Sequence, residues 1–184
     1  MCNSSPDHWT TCTVEEAHVD DLDRRVLELF AEQPRLGVLE ASRRLGVARG
    51  TVQARLDRLA ARGVVTGWGP DLSPEALGWP VTAFLTLEIR QDFSPDGGAH
   101  DVVGEHLAGI PQVLEVHTTT GSGDLLARVV ARSNADLQHV IDRALAHPAI
   151  LRSSTTIALA TPVPHRVLPL ARLAAGPPPA GHHG

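Results

Sequence analysis

Between residues 42 and 62 the chain carries Arg43, Arg44, Arg49, Arg55, Arg58 and Arg62 against one acid, Asp57. This stretch is +5 within a chain whose formal net charge is −5. A concentrated cationic patch on an acidic protein reads as a localised anion-binding surface, not a uniformly basic coat. Arg55, Arg58 and Arg62 stand at i, i+3 and i+7, which makes them one row on a helix. A second group, Thr120-Gly121-Ser122-Gly123-Asp124, joins two apolar alternating runs. Asp124 can accept from an ammonium, and exposed amides around Gly121 and Gly123 can donate to a carboxylate, so the loop suits a small zwitterion. The same residues also fit a plain glycine-rich hairpin turn, with Asp124 bonded to backbone.

Other chemistry is excluded by what the chain lacks. All 16 basic residues are Arg and none is Lys, which removes Schiff-base lysines and the phosphate-loop lysine. No Walker loop, GxSxG or HExxH occurs. Cys2 and Cys12 match no zinc spacing, and His182 and His183 sit in a Pro/Gly tail. His117 lies on an expected strand, as a surface or interface residue. No catalytic residue, metal or cofactor is expected.

The elements that must position these groups follow from periodicity. The chain has 184 residues and 42% hydrophobic content, enough for one large or two small domains. No window approaches the roughly 18 apolar residues of a membrane span. Residues 1–21 lack the basic and apolar pattern of a secretory signal. The expectation is a cytoplasmic protein with no membrane partner.

Asp20 is a good N-cap for a first helix carrying Leu22, Val26, Leu29 and Phe30, stopped by Pro34. A short helix over about Val38–Leu45, with Leu39, Ser42 and Leu45 inward, ends at Gly46. A third over about Arg49–Arg62 buries Val52, Leu56 and Leu59 and closes at Gly63. Ser42, Gly46 and Val52 fall where a helix-turn-helix needs a small residue, a turn glycine and a core residue. An ordinary three-helix bundle with a solvated Arg face fits the same pattern.

Val81–Ile89 alternates as a strand. A helix follows over about Asp101–Leu107, with Val102, Val103, His106 and Leu107 inward. Strands at Val113–Thr120 and Leu125–Ala131, a helix capped by Ser133–Asp136, and a strand at Ile150–Ala160 complete β-α-β-β-α-β, the ferredoxin-like order. One sheet face stays open, which dimerisation would cover. The fold class is α+β, with an N-terminal winged helix-turn-helix domain and a C-terminal ferredoxin-like βαββαβ domain. The expected division is a flexible arm at 1–19, the helix-turn-helix domain at 20–66, a linker at 67–80, the sheet domain at 81–160 and a Pro-rich flexible tail at 161–184.

The run from Leu22-Asp23-Arg24 through Gly63-Val64-Val65, then LSPEALGW, the TG-x-x-D loop at Thr120–Asp124 and SSTTIAL resembles the Lrp/AsnC (feast/famine) transcription regulators over about residues 20–160. The resemblance implies a homodimer, assembling further into higher homo-oligomers, that binds double-stranded DNA and responds to a small-molecule effector, often an amino acid. It implies a binding protein and not an enzyme. Arg49, Thr51, Gln53 and Ala54 are the base-edge candidates. Arg43, Arg44, Arg55, Arg58 and Arg62 are the phosphate candidates, and Thr120, Gly121, Ser122, Gly123 and Asp124 the effector candidates. The chain departs from the family where Ala48-Arg49 replaces the usual Ser-Pro, where Leu125 replaces an aromatic residue, and in its longer tail. Two rivals share the architecture: a siroheme-decarboxylase-like enzyme, and a protein-interaction module with an unused helix-turn-helix.

Overall fold

A computed structural model describes residues 19–90, 92 and 98–175. Of the expected arm at 1–19, residues 1–18, with Cys2 and Cys12, lie outside the described residues, as does the end of the tail, with His182 and His183, while Val19 is buried. The chain divides into two units, one of residues 71–162 and one of 19–70 together with 163–175.

The helical unit contains α1 (Asp21–Glu32), α2 (Val38–Leu45) and α3 (Arg49–Ala61). α1 opens on a reciprocal capping box: the Asp20 carboxylate accepts from the Asp23 N–H at 2.9 Å, and Asp23 accepts from the Asp20 N–H at 3.2 Å. Gly46 ends α2 with φ 70°, a left-handed conformation that a side chain would strain. Ser42 is buried and donates its hydroxyl to the Leu39 carbonyl at 2.8 Å, which satisfies it in the helix crossing. Val26, Ala41, Leu45, Val52 and Leu56 form the core, with Leu22, Leu29 and Phe30 packed around it. Leu39 does not point inward as its spacing suggests. It is 51% exposed, because Ala41, Ser42 and Leu45 are the positions of this eight-residue helix that meet the core. After α3 the Val64 and Val65 amides both donate to the Leu59 carbonyl, and the chain runs on to Pro70 without a strand.

The side chain of Asp23 is fully buried. A carboxylate tolerates that only when paired. It accepts from Arg58 Nη2 at 2.6 Å and from Arg55 Nη1 at 3.1 Å, while Arg55 also bonds Asp20. α1 is thereby clamped to α3 through four charges.

The tail also departs from expectation. Residues 161–184 read as flexible, yet α6 (Leu168–Ala174) is a helix of the same unit as α1, tied to it by Arg172 Nε to Glu28 Oε1 at 2.6 Å. The Pro-rich composition hid it. Pro169 occupies the first turn, where a missing N–H costs nothing.

The second unit holds β1 (Val81–Ile89), α4 (Ala99–Ala108), β2 (Val113–Thr118), β3 (Leu125–Ala131), α5 (Asn134–Ala144) and β4 (Ile150–Ala158). The sheet is antiparallel in the order β2-β3-β1-β4. Ala83, Leu85 and Leu87 pair with Val129, Ala127 and Leu125, and this face packs on Val103 and Leu107 of α4 and Leu137 and Val140 of α5. Thr82, Phe84 and Thr86 pair with Val130, Arg128 and Leu126 on the other face. α4 buries Ala99, Val103 and Leu107, whereas Val102 is exposed. Ser133 accepts from the Asp136 N–H at 3.1 Å, but the Asp136 carboxylate takes the Arg132 N–H at 2.8 Å instead of closing a box on Ser133.

Two outcomes follow for the helical unit. Asp23→Ala removes charge-assisted hydrogen bonds and half a capping box, and should lower stability by about 1.5–3 kcal/mol in urea titration. Burial raises the Asp20 pKa, but the Arg55 hydrogen bond, the Asp23 N–H and the charges of Arg55 and Arg58 outweigh it and hold the carboxyl below its ordinary value. A depressed folded-state pKa contributes stability above the unfolded value of about 4 and loses it as pH falls. The stability gap between wild type and Asp20→Asn should therefore be full near neutrality and close in acid. A pH-independent gap would contradict the ion-pair account.

Candidate functional site

α3 presents two faces. Val52, Leu56 and Leu59 bury one. Arg49, Gln53 and Ala54 are exposed together on the other, as is Gly50, and Thr51 is half-buried. Ala48 at the N-cap gives no side-chain bond, so the helix start is left open. The Gln53 amide donates to Asp57 Oδ1 at 2.8 Å.

The arginines of the +5 stretch divide by partner. Arg55 and Arg58 are held by Asp20 and Asp23. Arg44 donates to Glu40 at 3.1 Å and to Gln33 at 2.8 Å, and Arg43 lies 3.6 Å from Glu40. Arg49 and Arg62 are exposed and have no acidic partner among the described residues. The regular row Arg55–Arg58–Arg62 is thus a structural clamp at two positions and a solvent-facing cation at the third. The pairing partners sit more than 30 residues away in α1 and its cap, where counting charge along the chain does not reach.

The Thr120–Asp124 loop joins β2 to β3 and is fastened to the end of β1. The Asp124 carboxylate accepts from the Ile89 N–H at 2.8 Å, and the Asp124 N–H donates to the Leu87 carbonyl at 2.9 Å. Thr119 donates its hydroxyl to the Gly123 carbonyl and its N–H to the Asp124 carbonyl, both at 2.9 Å. Gly121 has φ 114°, and a Cβ on Gly123 would collide with Thr86 Cγ2, so both glycines are required by the backbone. Thr120, Gly121 and Ser122 are exposed. The expected role of Asp124 as a direct ammonium acceptor meets a competing commitment: its carboxylate already holds a backbone amide.

Beside this loop, α4 and β2 enclose an open cavity of about 470 Å³, lined by His100, Asp101, Glu105, Val116, Thr118 and Leu125. Sequence reasoning passed over Asp101 and Glu105, which looked like the solvated side of an amphipathic helix. Their i, i+4 spacing on the turn that faces β2 is the signal that places them together.

The chain matches two family models, the winged helix-turn-helix DNA-binding model over residues 19–66 and the Lrp/AsnC ligand binding domain over residues 82–168. The regulatory protein AsnC of Escherichia coli (strain K12) is 30% identical over 159 residues, covering 85% of this chain and all of that one. The transcriptional regulator FL11 of Pyrococcus furiosus is 27% identical over 124 residues, 67% of this chain and 78% of that one. The solved structure of E. coli AsnC superposes with a TM-score of 0.73 at 28% identity, over 82% of this chain and 99% of that one. The Neisseria meningitidis transcriptional regulator NMB0573, solved in complex with L-Met, superposes with a TM-score of 0.73 at 26% identity, over 84% of this chain and 98% of that one. With both halves matched in order and a relative of that identity covered from end to end, the chain belongs to the Lrp/AsnC family of transcriptional regulators.

Proposed function

We propose that the protein binds a pseudo-palindromic operator as a cytoplasmic homodimer or higher homo-oligomer and that a small amino acid sets its affinity or assembly. The observation that carries the reading is the exposed face of α3. Arg49, Gln53 and Ala54 share it at the open N-terminal end, where a helix-turn-helix presents side chains to base edges. Thr51 lies at its margin. Without a cap, the first amides of α3 also remain available to a phosphate. Arg43, Arg44 and Arg62 are the flanking phosphate contacts. Arg55 and Arg58 are positioning residues, since their charge is already matched by Asp20 and Asp23.

The effector reading is supported by the L-Met complex of the Neisseria regulator and by the cavity beside the loop. In this chain the acids facing that cavity are Asp101 and Glu105, and they take the ammonium. The exposed amides around Gly121 take the carboxylate. Asp124 holds the loop to β1. Two copies would cover the open sheet face through Phe84 and Leu126, which are half-buried in one chain. The exposed α3 face also favours a regulator over the decarboxylase architecture, for which added porphyrin would develop a protein-bound visible absorption band.

Gel shift on the chain's own upstream DNA tests the interface. Arg49→Ala should weaken specific binding at least about tenfold. Arg62→Ala should weaken specific and non-specific binding alike and reduce the salt slope by about one. Arg58→Ala should act chiefly through thermal stability. Equal salt slopes in wild type and Arg62→Ala, with full specific affinity in Arg49→Ala, would remove α3 from the interface.

Calorimetry across the amino acids separates the roles in the loop. Asp124→Asn keeps an oxygen for the Ile89 amide and should bind effector nearly as wild type. Glu105→Gln with Asp101→Asn should lose about tenfold or more. The opposite ranking would make Asp124 the direct ligand. Light scattering of the full chain should give a dimer or larger, and a monomer at micromolar concentration would overturn the assembly.

A further inference from the structure

Asp57 has no part in the base and phosphate contacts assigned to α3. The stretch 42–62 holds six arginines and this one acid. Arg55 and Arg58 turn to α1, and no arginine pairs with Asp57 among the described residues. Its partner is a neutral amide: Gln53 Nε2 donates to Asp57 Oδ1 at 2.8 Å, and both side chains are exposed. Gln53 follows Arg49 by one helical turn and Asp57 follows Gln53 by another, so the three form a row along α3. A carboxylate on a face turned to phosphates repels them, so its place in that row needs another reason.

The bond settles which way the amide points. A carboxylate oxygen only accepts, so Gln53 Nε2 faces Asp57 and Oε1 faces away. A free glutamine amide offers two N–H donors and a carbonyl acceptor. With one donor held by Asp57, one donor and one acceptor remain. In the major groove adenine presents N7 as an acceptor and its N6 amino group as a donor, which is the complementary pair. Guanine presents two acceptors, N7 and O6, and the held amide has a single donor left for them. Thymine and cytosine each match one half only.

The neighbours of Gln53 bring it within reach of a base. Gly50 and Ala54 flank it, and both are exposed. Packing does not require glycine at 50, since a Cβ there would meet nothing within 4 Å. Glycine also weakens a helix relative to alanine, so folding alone does not select it. Small residues on both sides let α3 lie deep enough in a groove for the Gln53 amide to meet a base edge.

We propose that Asp57 is a positioning residue that locks the Gln53 amide as an adenine reader, so that each operator half-site carries an adenine where Gln53 meets it. The inference rests on the operator reading of α3 and adds the base that one of its residues selects.

Selection of the full chain on a random-sequence duplex library gives the operator. The same selection with Gln53→Ala marks the position that Gln53 reads, as the one whose preference is lost, and that base should be adenine. Gel shift on the selected duplex then compares adenine with guanine at that position. Wild type should favour adenine at least about tenfold. In Asp57→Ala the ratio should fall below about threefold, while affinity for both duplexes rises because a negative charge has left the phosphate-facing surface. Asp57→Asn loses the same charge but keeps an acceptor for the amide, so its ratio should return to at least about tenfold. If wild type enriches no sequence, the operator reading fails and the base assignment with it. If an operator emerges but Gln53→Ala leaves it unchanged, or marks a base other than adenine, the operator reading stands and this inference is overturned. An undiminished adenine ratio in Asp57→Ala overturns the lock, and lower affinity for both duplexes at that same ratio would make Asp57 a purely structural residue.

Discussion

The helical unit depends on one buried carboxylate. Asp23 closes the capping box that starts α1 and receives two guanidinium groups three residues apart on α3. A single apolar contact between two helices would set their separation. Two arginines fastened to one anchor also fix the rotation of α3 about its own axis, and that rotation decides which residues the helix presents outward. With Arg55 and Arg58 turned to α1, Arg49, Gln53 and Ala54 are exposed. Buried ion pairs contribute little net stability for their desolvation cost. Here the return is geometric, because a recognition helix turned by one residue would offer different side chains to the groove.

The same device recurs in the sheet unit. Asp124 binds the Ile89 amide, its own amide binds Leu87, and Gly123 lies where no side chain could pass Thr86. The loop is therefore stitched to the last turn of the β1 ladder and not left to swing. Gly121 and Ser122 stay exposed on a loop that its hydrogen bonds hold in place, and a held loop loses less ordering entropy on binding anything than a free one. In both units an acidic side chain works by holding backbone or helix in place, Asp23 between α1 and α3 and Asp124 on β1.

Much of this was legible in the residues themselves. Asp20, Gly46, Gly63 and Ser133 punctuate the elements as caps should, and the period-two run Val81–Ile89 is β1, one of the two inner strands. What failed was information that is not local. Leu39 has core spacing, but α2 is too short for every apolar position to find a partner. The +5 stretch counts Arg55 and Arg58 as available because Asp20 and Asp23 lie outside the window. α6 was hidden by proline content, although Leu168-Pro169-Leu170-Ala171 reads as a helix start once proline is allowed in the first turn. Its docking rests on Arg172 and Glu28, 144 residues apart, and no period reveals such a pair.

The two ends of the helix-turn-helix differ in a way that bears on what the fold is for. α1 begins with both reciprocal cap bonds in place, while α3 begins at Ala48 with none. A Ser, Thr or Asp there would stabilise the helix by about 0.5–2 kcal/mol relative to alanine, so folding alone would favour one. The residues that follow, Arg49 and Gly50, continue the pattern: a cation without an acidic partner, then a position with no side chain to screen the backbone. At the start of α3 a missing side-chain cap, a cation without an acidic partner and a bare backbone position coincide on an exposed face. Natural chains concentrate such departures where an external partner completes the structure. A helix start that exposes positive charge and lacks a side-chain cap is complementary to an anion, which is the chemistry the proposed phosphate contact would supply.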